Sequence, residues 1–102
     1  MSVINVTKDN FEETLNSGKT VLLDFYADWC GPCRMVAPFV HEIAEENPQY
    51  LVGKINVDEE PELAAAFDVM TIPTLVVLKD GKTVNQVSGV RPKAQILSLL
   101  EG

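Results

Sequence analysis

The chain's two cysteines, Cys30 and Cys33, lie in the stretch Trp29-Cys30-Gly31-Pro32-Cys33, directly after an apolar run. Two sulfurs within one helical turn can form a staple, half of a metal site, or a pair that opens and closes. As a staple the pair is weak, because closing a loop of four residues is worth only about 2 kcal/mol in the chain-entropy model. A structural zinc site wants four ligands, usually as two pairs. Here there is one pair and a lone histidine, His41, about 80° around a helix from Cys33. Its neighbours Val40 and Glu42 fit a solvated helix position, and a zinc or iron–sulfur site bridging two chains remains as an alternative. The spacing favours redox exchange.

The reason is local geometry. With Cys30 at a helix N-cap and Cys33 one turn on, the two share a face with Cβ atoms about 5–6 Å apart, close enough to bond after slight adjustment. The first turn of a helix carries unpaired N–H groups and the positive end of the dipole. A thiolate on Cys30 is stabilised there and becomes reactive at neutral pH. Gly31 lets a substrate backbone come close, and Pro32 stiffens the turn where a missing N–H matters least. Cys30 is expected to have the solvent access. Cys33, facing inward, then attacks a mixed disulfide on Cys30 and releases the product.

These residues need elements to hold them. "TVLLDFYA", Thr20 to Ala27, is apolar on both alternating faces, as a central strand buried on both sides is. Val36, Phe39, Val40 and Ile43 then fall at helical spacing, predicting a helix from about Pro32 to Asn47, with Pro38 kinking it. Before this pair, Val3 to Val6 predicts a short strand, and Thr7 an N-cap for a helix marked by Phe11 and Leu15 and stopped at Ser17-Gly18. After it come a strand in "LVGKINVD" and a short helix entered at Pro61. "TLVVLK" and "KTVNQVSG" flank Asp80-Gly81, a hairpin signal, and Ile96, Leu99 and Leu100 give a closing helix one apolar face. The order βαβαβαββα predicts an α/β fold, a mixed sheet with helices on both faces.

Composition narrows the setting. One hundred and two residues suit a single domain over 1–102, long enough to bury about two-thirds of the unfolded chain's surface without a staple. A formal charge of −7, from 15 acids and 8 bases, argues against nucleic acid or an anionic membrane as principal partner. No apolar run reaches membrane-spanning length, and "MSVINVTKDN" lacks the pattern of a secretory signal. The expected setting is the cytoplasm, where disulfides are usually transient and catalytic.

Taken together, "DFYADWCGPCR", the proline inside the following helix, "KINVD", "TIPT" and the glycine of "SGV" resemble the thioredoxin family across essentially the whole chain. That resemblance implies the thioredoxin fold, a central five-stranded mixed β-sheet flanked by four helices. It implies a dithiol that reduces diverse disulfide-containing proteins, needs no bound cofactor, acts as a monomer, and is recharged by a thioredoxin reductase using NADPH. By motif position, Cys30 is the attacking cysteine and Cys33 the resolving one. Asp24 matches the family's buried acid and Lys54 its partner. Pro73 matches a cis-proline facing the disulfide, while Trp29, Ile72 and Gly89 match an apolar rim that receives substrate. Thr71, Ser88 and Tyr26 depart from the commonest pattern, the first two at positions that bear on partner preference.

Asp24 stands out on its own chemistry as well. A carboxylate inside "LLDFY" is costly without a partner. If buried, its pKa rises and it can relay a proton to or from Cys33; the alternatives are a strand-edge Asp reaching water or a turn former. Lys54, taken alone, is an ordinary snorkelling lysine. Two rival functions remain open: a disulfide oxidase or isomerase, separable by reduction potential, and an accessory binding module whose thiols are incidental.

Overall fold

The structure, a computed structural model, describes residues 2–102. In chain order the elements are β1 (Ile4–Asn5), α1 (Phe11–Leu15), β2 (Thr20–Tyr26), α2 (Gly31–Glu46), β3 (Tyr50–Asn56), α3 (Pro61–Ala66), β4 (Thr74–Lys79), β5 (Lys82–Ser88) and α4 (Lys93–Glu101). They build one five-stranded sheet in the order β1-β3-β2-β4-β5. β3 runs parallel to both β1 and β2, whereas β4 is antiparallel to β2 and β5 to β4. This is the thioredoxin fold.

The double-sided burial of β2 follows from its position in mid-sheet. Val21, Leu23 and Phe25 point to one face, where α1 and α3 contribute Phe11, Leu15, Leu63 and Ala64. Leu22 points to the other, against Val36, Val40 and Ile43 of α2 and Ile96 and Leu100 of α4. Strand alternation puts Asp24 on the same side as Leu22, beneath α2. In the parallel register Asp24 lies beside Lys54, as Leu22 lies beside Val52. Lys93 Nζ ties α4 to α2 through Glu42 (3.0 Å) and Glu46 (2.6 Å), and both carboxylates hold its ammonium pKa above the usual lysine range.

The ends of several elements differ from the sequence reading. β1 is two residues long, not Val3 to Val6, although the Val6 N–H still donates to the Lys54 carbonyl (2.8 Å). Thr7 does not cap α1. It opens a turn closed by Asn10 N–H to Thr7 O (3.2 Å), with Asn10 Oδ1 accepting from the Thr7 N–H (2.9 Å), so the helix starts only at Phe11. β2 ends at Tyr26, because the Ala27 carbonyl turns to accept the Cys30 N–H (3.2 Å). β3 ends at Asn56, whose Oδ1 accepts the Asp58 N–H (2.9 Å) and bends the chain away.

α2 continues through Pro38, whose ring leaves the Arg34 carbonyl without its usual donor. Asp80 and Gly81 have φ of +53° and +76°, the pair of left-handed residues that a tight primed hairpin turn requires. Gly53 is held for a different reason. A Cβ there would stand 2.5 Å from Val6 Cγ2, so β1 and β3 can close up only over glycine.

Candidate active site

Cys30 is the N-cap of α2, with extended backbone, and Pro32 and Cys33 occupy its first turn. The cysteines are joined as a disulfide with Cα atoms 5.2 Å apart. The Cys33 backbone N–H points at Cys30 Sγ from 3.2 Å. One of the orphan donors of the helix start therefore faces this sulfur, and any negative charge that forms on it is met by an N–H and by the dipole.

The two cysteines are equally enclosed, each 4% exposed, so greater solvent access does not set Cys30 apart as the sequence reading expected. What differs is the space each one faces. Cys30 borders an open groove of about 480 Å³ walled by Trp29, Gly31, Pro32, Val57, Val69, Met70 and Ile72. Cys33 borders a separate cavity of about 220 Å³ on the other side, with Asp24, Tyr26, Arg34, His41 and Lys54.

On the groove side, Cys30 Sγ lies 3.8 Å from the Ile72 carbonyl oxygen. The Ile72–Pro73 peptide bond is cis. Gly89, at φ +90°, donates its N–H to the Pro73 carbonyl (2.8 Å) and so fastens the end of β5 to this loop. Thr74 Oγ1 adds a bond to the Thr71 carbonyl (2.6 Å) and lies 3.1 Å from Ser88 Oγ. Ser88 thus anchors the loop from behind. Pro73 and Gly89 hold the wall of the groove, and Ile72 forms it.

Trp29 is 69% exposed, at the surface and not in the core. Its indole N–H donates to Asp58 Oδ2 (2.9 Å), fixing the ring beside the groove. Asp58 was missed in the sequence, as were the groove residues Val57, Val69 and Met70. Asp58 lies 29 positions from Trp29 in an ordinary acidic stretch, so nothing in the sequence marks the pairing.

On the inner side, Asp24 is 5% exposed and its Oδ1 has no hydrogen-bond partner among the described residues. Burial pushes its pKa up from 3.8 to about 7, and the Lys54 charge pulls it part of the way back. Lys54 acts across space. Its ammonium sits 5.7 Å from the centre of the Tyr26 ring and makes no direct ion pair with Asp24. Asp24 and Cys33 line the same cavity, so a carboxyl with a near-neutral pKa and the inner sulfur share one space. His41 is exposed on α2 and lines the mouth of this cavity. Among the described residues, no three His, Cys, Asp or Glu gather as metal ligands, and no helix is long and apolar enough to cross a membrane.

The thioredoxin family model matches residues 2–102. The chain belongs to the thioredoxin family. It is 45% identical over 102 residues to a thioredoxin of Staphylococcus haemolyticus, covering 99% of this chain and 97% of the other. It is 48% identical to a thioredoxin of Pyropia yezoensis, covering 98% and 95%. Among solved structures, a mutant thioredoxin from Halobacterium salinarum superposes with a TM-score of 0.93 at 39% identity, over 98% of this chain and 88% of that one. Thioredoxins are protein-disulfide oxidoreductases, and the Cys30–Cys33 pair gives this chain the dithiol–disulfide couple such exchange requires.

Proposed function

We propose that the chain is a general protein-disulfide reductase, a monomeric single domain working in the cytoplasm and recharged by a thioredoxin reductase that draws on NADPH. In the dithiol form, the Cys30 thiolate attacks one sulfur of a substrate disulfide, and the first substrate thiolate leaves. Asp24, as the carboxylate, takes the proton of the Cys33 thiol. The Cys33 thiolate then attacks Cys30 Sγ in the mixed disulfide, and the second substrate thiolate leaves and is protonated. Two electrons have passed to the substrate, and Cys30–Cys33 is a disulfide. Two electrons drawn from NADPH by the reductase, taken up with one proton, return the pair to the Cys30 thiolate and the Cys33 thiol.

One observation carries this assignment: Cys30 faces an open apolar groove while Cys33 faces a cavity holding a buried acid. Substrate docks along the groove as an extended segment whose backbone pairs with that of Ile72, as a strand adds to an edge. Trp29, Gly31 and Pro32 form the surface against which it lies, and Pro73 and Gly89 keep Ile72 in place. Lys54 tunes Asp24.

The deciding experiment is reduction of insulin disulfides with NADPH and a thioredoxin reductase. Turnover that depends on all three components is expected, and a chain the reductase does not accept would end the reading. Cys33→Ser should accumulate mixed disulfides with protein substrates and Cys30→Ser should not. Trapping by the wrong variant would reverse the two roles.

A further inference from the structure

The groove beside Cys30 holds another sulfur. Met70 is 89% exposed and lines the groove with Trp29, Cys30, Val69 and Ile72. It stands on the short loop between Asp68, at φ +54°, and the Ile72–Pro73 bond. In the disulfide form both cysteines are 4% exposed and carry no thiol. A two-electron oxidant reaching this face therefore meets the Met70 thioether first.

We propose that Met70 is an oxidation site that lowers the docking of protein substrates, an inference that rests on the groove being their docking surface. A hydroperoxide is the oxidant. A lone pair on the Met70 sulfur attacks one peroxide oxygen, the S–O bond forms, and the O–O bond breaks. The departing oxygen takes the proton of the transferred hydroxyl and leaves as water or alcohol, and the sulfur is left as the sulfoxide. Sulfur loses two electrons and the peroxide gains two.

The consequence follows from the groove's character. Among the described residues no charged one lines it, and Trp29, Val57, Val69 and Ile72 present apolar surface. Oxidation replaces a flexible apolar thioether with a polar, chiral sulfoxide. An apolar partner residue pressed against that oxygen leaves it without a hydrogen bond. Met35 supplies an internal comparison. It is 64% exposed on α2, yet it lines neither the groove nor the cavity behind it.

The test treats the disulfide form with hydrogen peroxide and locates the added oxygen by peptide mass mapping. The cysteines are then reduced with dithiothreitol. Single-turnover rates are measured with insulin and with a small aromatic disulfide, dithiobis(nitrobenzoate). Oxygen should enter Met70 at least as fast as Met35. The insulin rate should fall about tenfold, while the rate with the small disulfide stays within about twofold. The treated-to-untreated ratio should return to one in Met70→Leu and stay low in Met35→Leu. The proposal is overturned if Met70 stays unoxidised, if Met70→Leu loses as much rate on treatment, or if both disulfides slow equally. Failure of the untreated protein to reduce insulin would instead overturn the docking reading and this inference with it.

Discussion

Asp24 occupies the strand position where a charge is hardest to keep, and its position decides how stability changes with pH. Its pKa in the folded state, about 7, lies above the ordinary 3.8, so the folded chain binds the proton more tightly than the unfolded chain. The penalty for ionising it is absent below pH 3.8, grows between there and about pH 7, and is constant above. The full displacement corresponds to about 4 kcal/mol. Asp24→Asn should therefore stabilise the disulfide form by about 2–4 kcal/mol at pH 8 and by little at pH 4, since a buried amide still carries a desolvation cost. Paired urea melts measure this. The same variant should slow insulin reduction by about tenfold near pH 7, with the deficit shrinking as hydroxide takes over the proton. Lys54→Met removes the one charge that opposes burial, so the Asp24 midpoint should move above 7 in a carboxyl carbon-13 NMR titration. A midpoint that fell would show that Lys54 does not act on Asp24. At this scale the sequence was informative wherever one residue clashes with its surroundings. An acid in an apolar strand and two close sulfurs are visible in one dimension. The Trp29–Asp58 bond is not, because both residue types are unremarkable where they stand.

Elements were legible where hydrophobic period and turn chemistry agree. β2 alternates two apolar faces, the Asp80-Gly81 turn marks the last hairpin, and Pro61 marks the first turn of α3. All nine elements therefore lie in the expected order. Boundaries were less legible because side chains compete for them: Asn10 turns back to Thr7, and Asn56 ends β3 by binding Asp58 N–H. The meaning of Gly53 was invisible too, since its reason is Val6, far off in the sequence and just past the end of β1. Val6 is buried among Ile4, Leu23 and neighbouring side chains and has little room to yield. Gly53→Ala should therefore cost about 1–3 kcal/mol by overpacking. Val6→Ala in the same chain should relieve part of that loss, giving a coupling in a double-mutant cycle. Strictly additive losses would show that the contact is not the cause.

For the molecule as a whole, the disulfide contributes little to the fold. It closes a loop of four residues in a chain with a packed core on each face of the sheet. Reduction should lower stability by about 2 kcal/mol and leave a cooperative transition in urea, with circular dichroism unchanged at low denaturant. Collapse on reduction would make the bond a staple after all. The two spaces flanking the bond have no lining residue in common, one taking its walls mainly from Trp29–Pro32 and the loop before Pro73, the other mainly from β2, the turn after it, β3 and α2. If the groove receives substrate as proposed, partner choice and proton handling can therefore vary independently. On that reading, substitution at Val57, Val69 or Thr71 should change which substrates dock while the Asp24 midpoint stays put, and substitution at Lys54 should move that midpoint while docking is unchanged.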